Sequence, residues 1–149
     1  MLRKARIEDI RQIQALINAF AKKDVMLPRS LNELYENIRD FWVYESTGKI
    51  VGCAALHISW ADLAEIKSLA VKRERQRQGV GRELVSVCME EARKLGAKKV
   101  FALTYKPDYF RKFGFRKVKH ADLPHKVWAE CINCPKFPDC EEVALIKEL

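Results

Sequence analysis

No apolar run in this sequence approaches the roughly 20 residues that a membrane-crossing helix needs, so no membrane partner is expected. The opening residues Met1-Leu2-Arg3-Lys4-Ala5-Arg6 hold neither an apolar h-region nor a cleavage site, and a cytoplasmic protein is expected. Internal repeats, low-complexity tracts and linkers are absent too, which leaves one domain over residues 1–149. What is present fits that domain. The 149 residues are 48% hydrophobic and 32% charged, a soluble globular balance with enough chain to bury a core.

The net charge of +8 admits a nucleic acid, an acidic surface or a polyanionic small molecule, or simply a basic solvated surface. A nucleic-acid reader clusters its cations in a stripe with interleaved aromatics. Here the densest run, Lys72-Arg73-Glu74-Arg75-Gln76-Arg77, lies beside a glycine pair, which suits a phosphorylated cofactor better than a duplex.

Periodicity orders the chain. Residues 2–7 read as extended, and Ile10, Ile13, Ile17 and Phe20 predict a helix over 9–22. Ser30-Leu31-Asn32-Glu33 has the form of a capping box opening a second helix to about residue 38. Strands are expected over 41–45, 49–58 and 64–71, the first two joined by Ser46-Thr47-Gly48. A long helix over 79–95 ends at Gly96, a strand covers 98–105, a short helix starts at Pro107, and strands follow over 115–118 and 142–146, the last closing the sheet. The pattern is one α+β domain whose strand–helix–strand centre is residues 64–105, with a cysteine-containing segment, 121–149, completing it.

The segment carrying chemistry is Gln76-Arg77-Gln78-Gly79-Val80-Gly81. A strand that passes through a basic loop into a glycine-started helix offers unpaired N–H groups and the positive end of the helix dipole to an anion. Gly79 and Gly81 let backbone approach a pyrophosphate closely, and Arg73, Arg75, Arg77 and Arg82 add attraction. The pair lacks the third glycine of a dinucleotide fingerprint and the Gly-Lys-Ser/Thr of a nucleotide phosphate loop, so an ordinary tight turn is the competing reading.

Glu65-Ile-Lys-Ser-Leu-Ala-Val71 followed by Gln76-x-x-Gly79-x-Gly81 resembles the acetyl-CoA site of the GNAT superfamily of N-acetyltransferases. Tyr109-Phe-Arg-Lys-Phe-Gly-Phe115 is similar to that family's second landmark, and the element order from residue 2 to 119 fits. The resemblance implies a mixed, mostly antiparallel central sheet splayed at its centre, with flanking helices. It places pantetheine against main chain near Leu69, Ala70 and Val71, and the pyrophosphate on amides from Gln76, Arg77, Gln78, Gly79, Val80, Gly81 and Arg82.

A narrower resemblance is carried by Met26-Leu27-Pro28-Arg29-Ser30, Ala64-Glu65-Ile66 and Ala121-Asp122-Leu123-Pro124. It is to the acetyltransferase domain of N-acetylglutamate synthases, particularly short bacterial forms. It implies acetyl transfer to the α-amine of L-glutamate, the first step of arginine biosynthesis. Leu27 and Arg29 match residues gripping the substrate α-carboxylate, a task suited to a guanidinium fork; Lys126 and Lys136 are candidates for the side-chain carboxylate. Arg29 also reads as a solvated helix-entry residue.

Glu65 matches the family's general base, and burial should raise its proton affinity from the ordinary carboxylate value; pairing with Arg29 or Lys67 is the bland alternative. Many of these enzymes protonate the departing thiolate with a tyrosine four residues before the second landmark's glycine. Phe110 stands there, with Tyr109 one step away, and the synthases' hydroxyl residue matches Thr104. Thr104 reads equally as a structural hydroxyl.

Of five cysteines, Cys53 and Cys88 lie in apolar stretches and read as core thiols. Cys131, Cys134 and Cys140 could hold a structural zinc with His125, Glu130 or Asp139, form a redox pair, or stay as thiols. The readings that compete are a glutamate acetyltransferase, a relative acting on another small amine or a protein N-terminus, and a basic zinc-knuckle binding module. A homodimer is compatible with each of them.

Overall fold

A computed structural model of the chain describes residues 1–23, 26, 28–123 and 142–149. Seven strands form one sheet in the order β1-β2-β3-β4-β5-β7-β6: β1 (Leu2–Lys4), β2 (Phe41–Ser46), β3 (Lys49–Trp60), β4 (Leu63–Val71), β5 (Lys99–Thr104), β6 (Arg116–Val118) and β7 (Val143–Glu148). Neighbours run antiparallel except β4 with β5, the parallel pair. Helices α1 (Ile10–Ala21) and α2 (Leu31–Glu36) lie against one face, and α3 (Val80–Lys94) covers the other. The α+β sheet with flanking helices is thus the one expected.

The local causes are those of the sequence. Ile10, Ile13, Leu16 and Ile17 form the buried stripe of α1 and meet Cys53, Ala55 and Ala70 of the sheet. Ser30 Oγ accepts the Glu33 backbone N–H at 3.1 Å and starts α2. The β2–β3 loop is tighter than expected: Ser46 pairs with Lys49, leaving Thr47 (φ 49) and Gly48 (φ 78) as a two-residue left-handed turn. On the opposite face Leu84, Val85, Cys88 and Ala92 of α3 pack on Ala54, Leu56, Ala64 and Ile66.

The C-terminal strand does not close the sheet at its edge. It lies between β5 and β6, with Ala144, Leu145 and Ile146 buried. The three-residue β6, with Arg116 and Lys117 exposed, takes the edge, where short charged strands deter further pairing.

Candidate active site

β4 and β5 pair over three rungs only, Leu63–Lys99, Ala64–Val100 and Glu65–Phe101. Beyond Glu65 the strands part. β5 continues against β7 as far as Thr104, while β4 stays with β3 to Val71. The cause is a bulge in β4: Cys53 pairs with Ala70 and Ala55 with Lys67, so Ser68 and Leu69 together face Ala54. Ser68 takes φ 55, outside the extended region, and such a bulge bends and twists its strand away from the neighbour. The opening is therefore built into β4 itself.

The turn after β4 runs through a short 3-10 helix, Arg73–Arg75, into α3. Arg77 (φ 63) and Gly79 (φ 87) are both left-handed, the latter as N-cap of α3. The helix's first bond runs from Glu83 N–H to Gly79 O, so the N–H groups of Val80, Gly81 and Arg82 lie ahead of the ladder, where an anion fits. Side chains brace the turn: Gln76 Nε2 donates to Val71 O at 3.0 Å, and Arg75 donates to Ser46 Oγ at 2.9 Å and Gln78 Oε1 at 3.1 Å. Val80 and Ala70 bury their side chains in the core, so what they offer a ligand is backbone.

Glu65 is buried at 7% exposure on the last rung before the strands separate. Across β3 it faces His57, which continues the Cys53, Ala55 alternation toward α1; Glu65 therefore shares the α1–α2 face of the sheet. Arg29 belongs to that face. Its N–H donates to Asn18 Oδ1 and its carbonyl accepts from Gln14 Nε2, both on α1, while its guanidinium lies 3.5 Å from Glu33. Arg29 Nε is buried without a hydrogen-bond partner among the described residues, an orphan donor of the kind a bound carboxylate satisfies.

Thr104 ends β5, and its Oγ1 accepts from Lys106 N–H at 2.9 Å, which leaves the hydroxyl hydrogen to donate. Phe110 on α4 (Pro107–Arg111) is buried edge-on to Phe115, while Tyr109 points to the start of α3, where its hydroxyl crowds Gly81. Burial raises the Tyr109 phenol above its ordinary value and Arg82 opposes that shift.

Residues 7–115 match the model of the acetyltransferase (GNAT) family. The chain belongs to this family. An amino-acid acetyltransferase of Mycobacterium tuberculosis is 35% identical over 133 residues, covering 87% of this chain and 76% of that protein. A M. tuberculosis structure in complex with CoA matches with TM-score 0.85 and 30% identity, over 100% of this chain and 99% of that one. The N-acetylglutamate synthase of Neisseria gonorrhoeae, complexed with coenzyme A and N-acetyl-glutamate, matches with TM-score 0.91 and 30% identity. This chain spans 35% of that synthase chain. This GNAT protein is accordingly an acetyl-CoA-dependent N-acetyltransferase.

Within the GNAT frame the structure places the turn 76–82 beyond the end of β4 and Thr104 at the end of β5, with Glu65 on the last rung before the two strands part. The expectations for Leu27, Lys126 and Lys136 at the substrate, and for zinc at Cys131, Cys134 and Cys140, lie outside the described residues. Among the described residues no group of three or more His, Cys, Asp or Glu is placed to hold a metal ion, and no helix is long and apolar enough to cross a membrane. Sequence reasoning missed Asp40 and His57, whose side chains meet at 2.6 Å. The available signal was a histidine at the end of an apolar strand run.

Proposed function

We propose that this enzyme moves the acetyl group of acetyl-CoA to the α-amine of an amino acid, L-glutamate being the acceptor that best fits the residues. The carrying observation is Glu65: a carboxylate buried on the last rung of β4–β5 pairing, where the sheet opens. In the reaction the amine gives up a proton to Glu65, directly or through water, and its nitrogen attacks the thioester carbonyl. The C–N bond forms, the C–S bond breaks, and the thiolate takes a proton from Thr104, whose hydroxyl regains one of the two protons that the nitrogen sheds in becoming an amide. Backbone at Leu69, Ala70 and Val71 would line pantetheine, and amides from Gln76 to Arg82 would meet the pyrophosphate.

Arg29 would take the α-carboxylate as a fork, with Leu27 beside it and Lys126 or Lys136 at the side-chain carboxylate. Its orphaned Nε supports that reading, as does the N-acetyl-glutamate bound by the Neisseria synthase. The reading treats residues 1–149 as one catalytic domain completed by 121–149, and carries with it the first step of arginine biosynthesis in the cytoplasm. Cys131, Cys134 and Cys140 enter it as a candidate zinc site, a redox pair or reduced thiols.

Thiol release from acetyl-CoA across a panel of amino acids tests the acceptor, and Glu65→Gln tests the base. Glutamate should react fastest, and Glu65→Gln should lower kcat by roughly 10²-fold or more without weakening acetyl-CoA binding. Faster release with another amino acid replaces glutamate; unaltered turnover removes Glu65 as base.

A further inference from the structure

Asp40 and His57 form a pair that the steps above leave unused. Asp40 ends the 3-10 turn Ile38–Asp40, and the next residue, Phe41, pairs with Ala55 of β3. The turn thus comes alongside β3 at His57, two residues on, and His57 Nδ1 lies 2.6 Å from Asp40 Oδ2. With a ring N–H donating to that carboxylate, the neutral imidazole carries its basic lone pair on Nε2. His57 is also the register partner of Glu65, and directly opposed residues hold their Cβ atoms about 5 Å apart on one face.

The reaction makes a proton-exit path useful. An ammonium acceptor loses two protons when it becomes an amide: one ends on the thiol of CoA, and the other must reach water. Glu65 receives the second proton yet is only 7% exposed. The His57 and Asp40 side chains are 33% and 27% exposed, so the residue opposite the buried carboxylate reaches solvent. Among the described residues, the charged groups on elements packed against this stretch of β3 are Arg39 and Asp40 of the turn and Glu65 and Lys67 of β4. The α1 face packed here is apolar, formed by Ile10, Ile13, Leu16 and Ile17.

We propose that His57, oriented by Asp40, is a positioning residue that relays the amine proton from Glu65 to solvent after each turnover. Glu65–H returns to carboxylate as His57 Nε2 accepts the proton, and the imidazolium then releases it to water, so the chain ends each cycle unchanged. This rests on Glu65 being the base.

The test compares wild type, His57→Gln, Asp40→Asn and Glu65→Gln in thiol release from acetyl-CoA. The acceptor is L-glutamate or whichever panel amino acid reacts fastest, in dilute buffer from about pH 6 to about pH 9, with and without added imidazole. His57→Gln should lower kcat about tenfold while leaving the KM for acetyl-CoA unchanged, and imidazole should restore most of the loss. Asp40→Asn should move the low-pH limb of kcat to lower pH, because removing the carboxylate disfavours the imidazolium. A His57→Gln enzyme with wild-type kcat and pH profile overturns the relay, as does a loss that imidazole leaves untouched. If Glu65→Gln keeps wild-type turnover, the base assignment fails first. If Glu65→Gln is impaired while His57→Gln is not, the relay alone falls.

Discussion

The hydroxyl of Tyr109 occupies the space that a side chain at Gly81 would need. A Cβ built on Gly81 falls inside the van der Waals envelope of Tyr109 Oη and lies 3.3 Å from Cζ. Tyr109 opens onto this spot from α4, which follows β5, and Gly81 belongs to the first turn of α3, which follows β4. The contact therefore ties together the two elements that flank the opening between the strands. Gly79 differs: its Cβ would meet nothing within 4 Å, and its φ of 87 is what calls for glycine.

Gly81→Ala should therefore destabilise the fold by about 1–3 kcal/mol, the usual cost of overpacking. Adding Tyr109→Phe removes the clashing oxygen and leaves the tight but yielding ring carbon. The double variant should recover most of the loss, which shows as non-additivity in urea unfolding midpoints. Additive single and double effects would mean that the two residues do not share that space.

At the substrate side, Arg29→Ala should raise the KM for the amino-acid acceptor by roughly 10- to 100-fold, as expected for a lost charge-assisted fork. The KM for acetyl-CoA should stay put. Arg29→Lys should rescue little, since an ammonium cannot reproduce two parallel bonds. An acceptor KM indifferent to Arg29→Ala takes the carboxylate elsewhere.

Far from the site, Asp9 is 3% exposed and is gripped by Arg3 through two bonds of 2.8 and 3.0 Å, with Arg6 N–H donating at 2.7 Å. The Arg3 hydrogen bonds hold its carboxyl below the ordinary 3.8, with burial opposing. The unfolded chain binds the proton more readily, so the pair's contribution is complete above pH about 4 and is lost as pH falls through the lowered native value. Asp9→Asn should cost about 1–3 kcal/mol at neutral pH, because Arg3 exchanges a two-bond carboxylate for a neutral amide while keeping Glu45 at 2.8 Å. The variant's stability should also fall less steeply than wild type on acidification, as read from denaturation midpoints between neutral and acid pH.

Cys53 and Cys88 are buried, and burial pushes both thiols up to about 12. At pH 8 both therefore stay protonated, and the side chains are sealed as well. Brief alkylation of native protein, mapped by mass spectrometry, should leave both unmodified, with labelling only after denaturation. Rapid native labelling of either would contradict the core placement.

Much of the fold was legible because its signals are local. The α1 stripe, the Ser30 cap, the glycine at the α3 N-cap and the proline opening α4 each act within one or two turns of chain. The turn over residues 76–82 was legible for the same reason, since strand, basic loop and glycine pair are contiguous. Less legible was the reason for each glycine. One spacing, Gly79-x-Gly81, conceals a backbone requirement at the first position and a steric one at the second.

What the sequence by itself determined is the family, the glycine turn into α3, the order of elements, and a glutamate on an otherwise apolar strand. Tertiary structure decided where β7 sits, why the sheet opens just past Glu65, and which groups share its face. These depend on strand register and on contacts between distant segments. The bulge at Ser68 shows its effect only against Ala54 and β5, and His57 finds Asp40 only once β2 and β3 have paired. Local propensity carries no record of such partners; packing does.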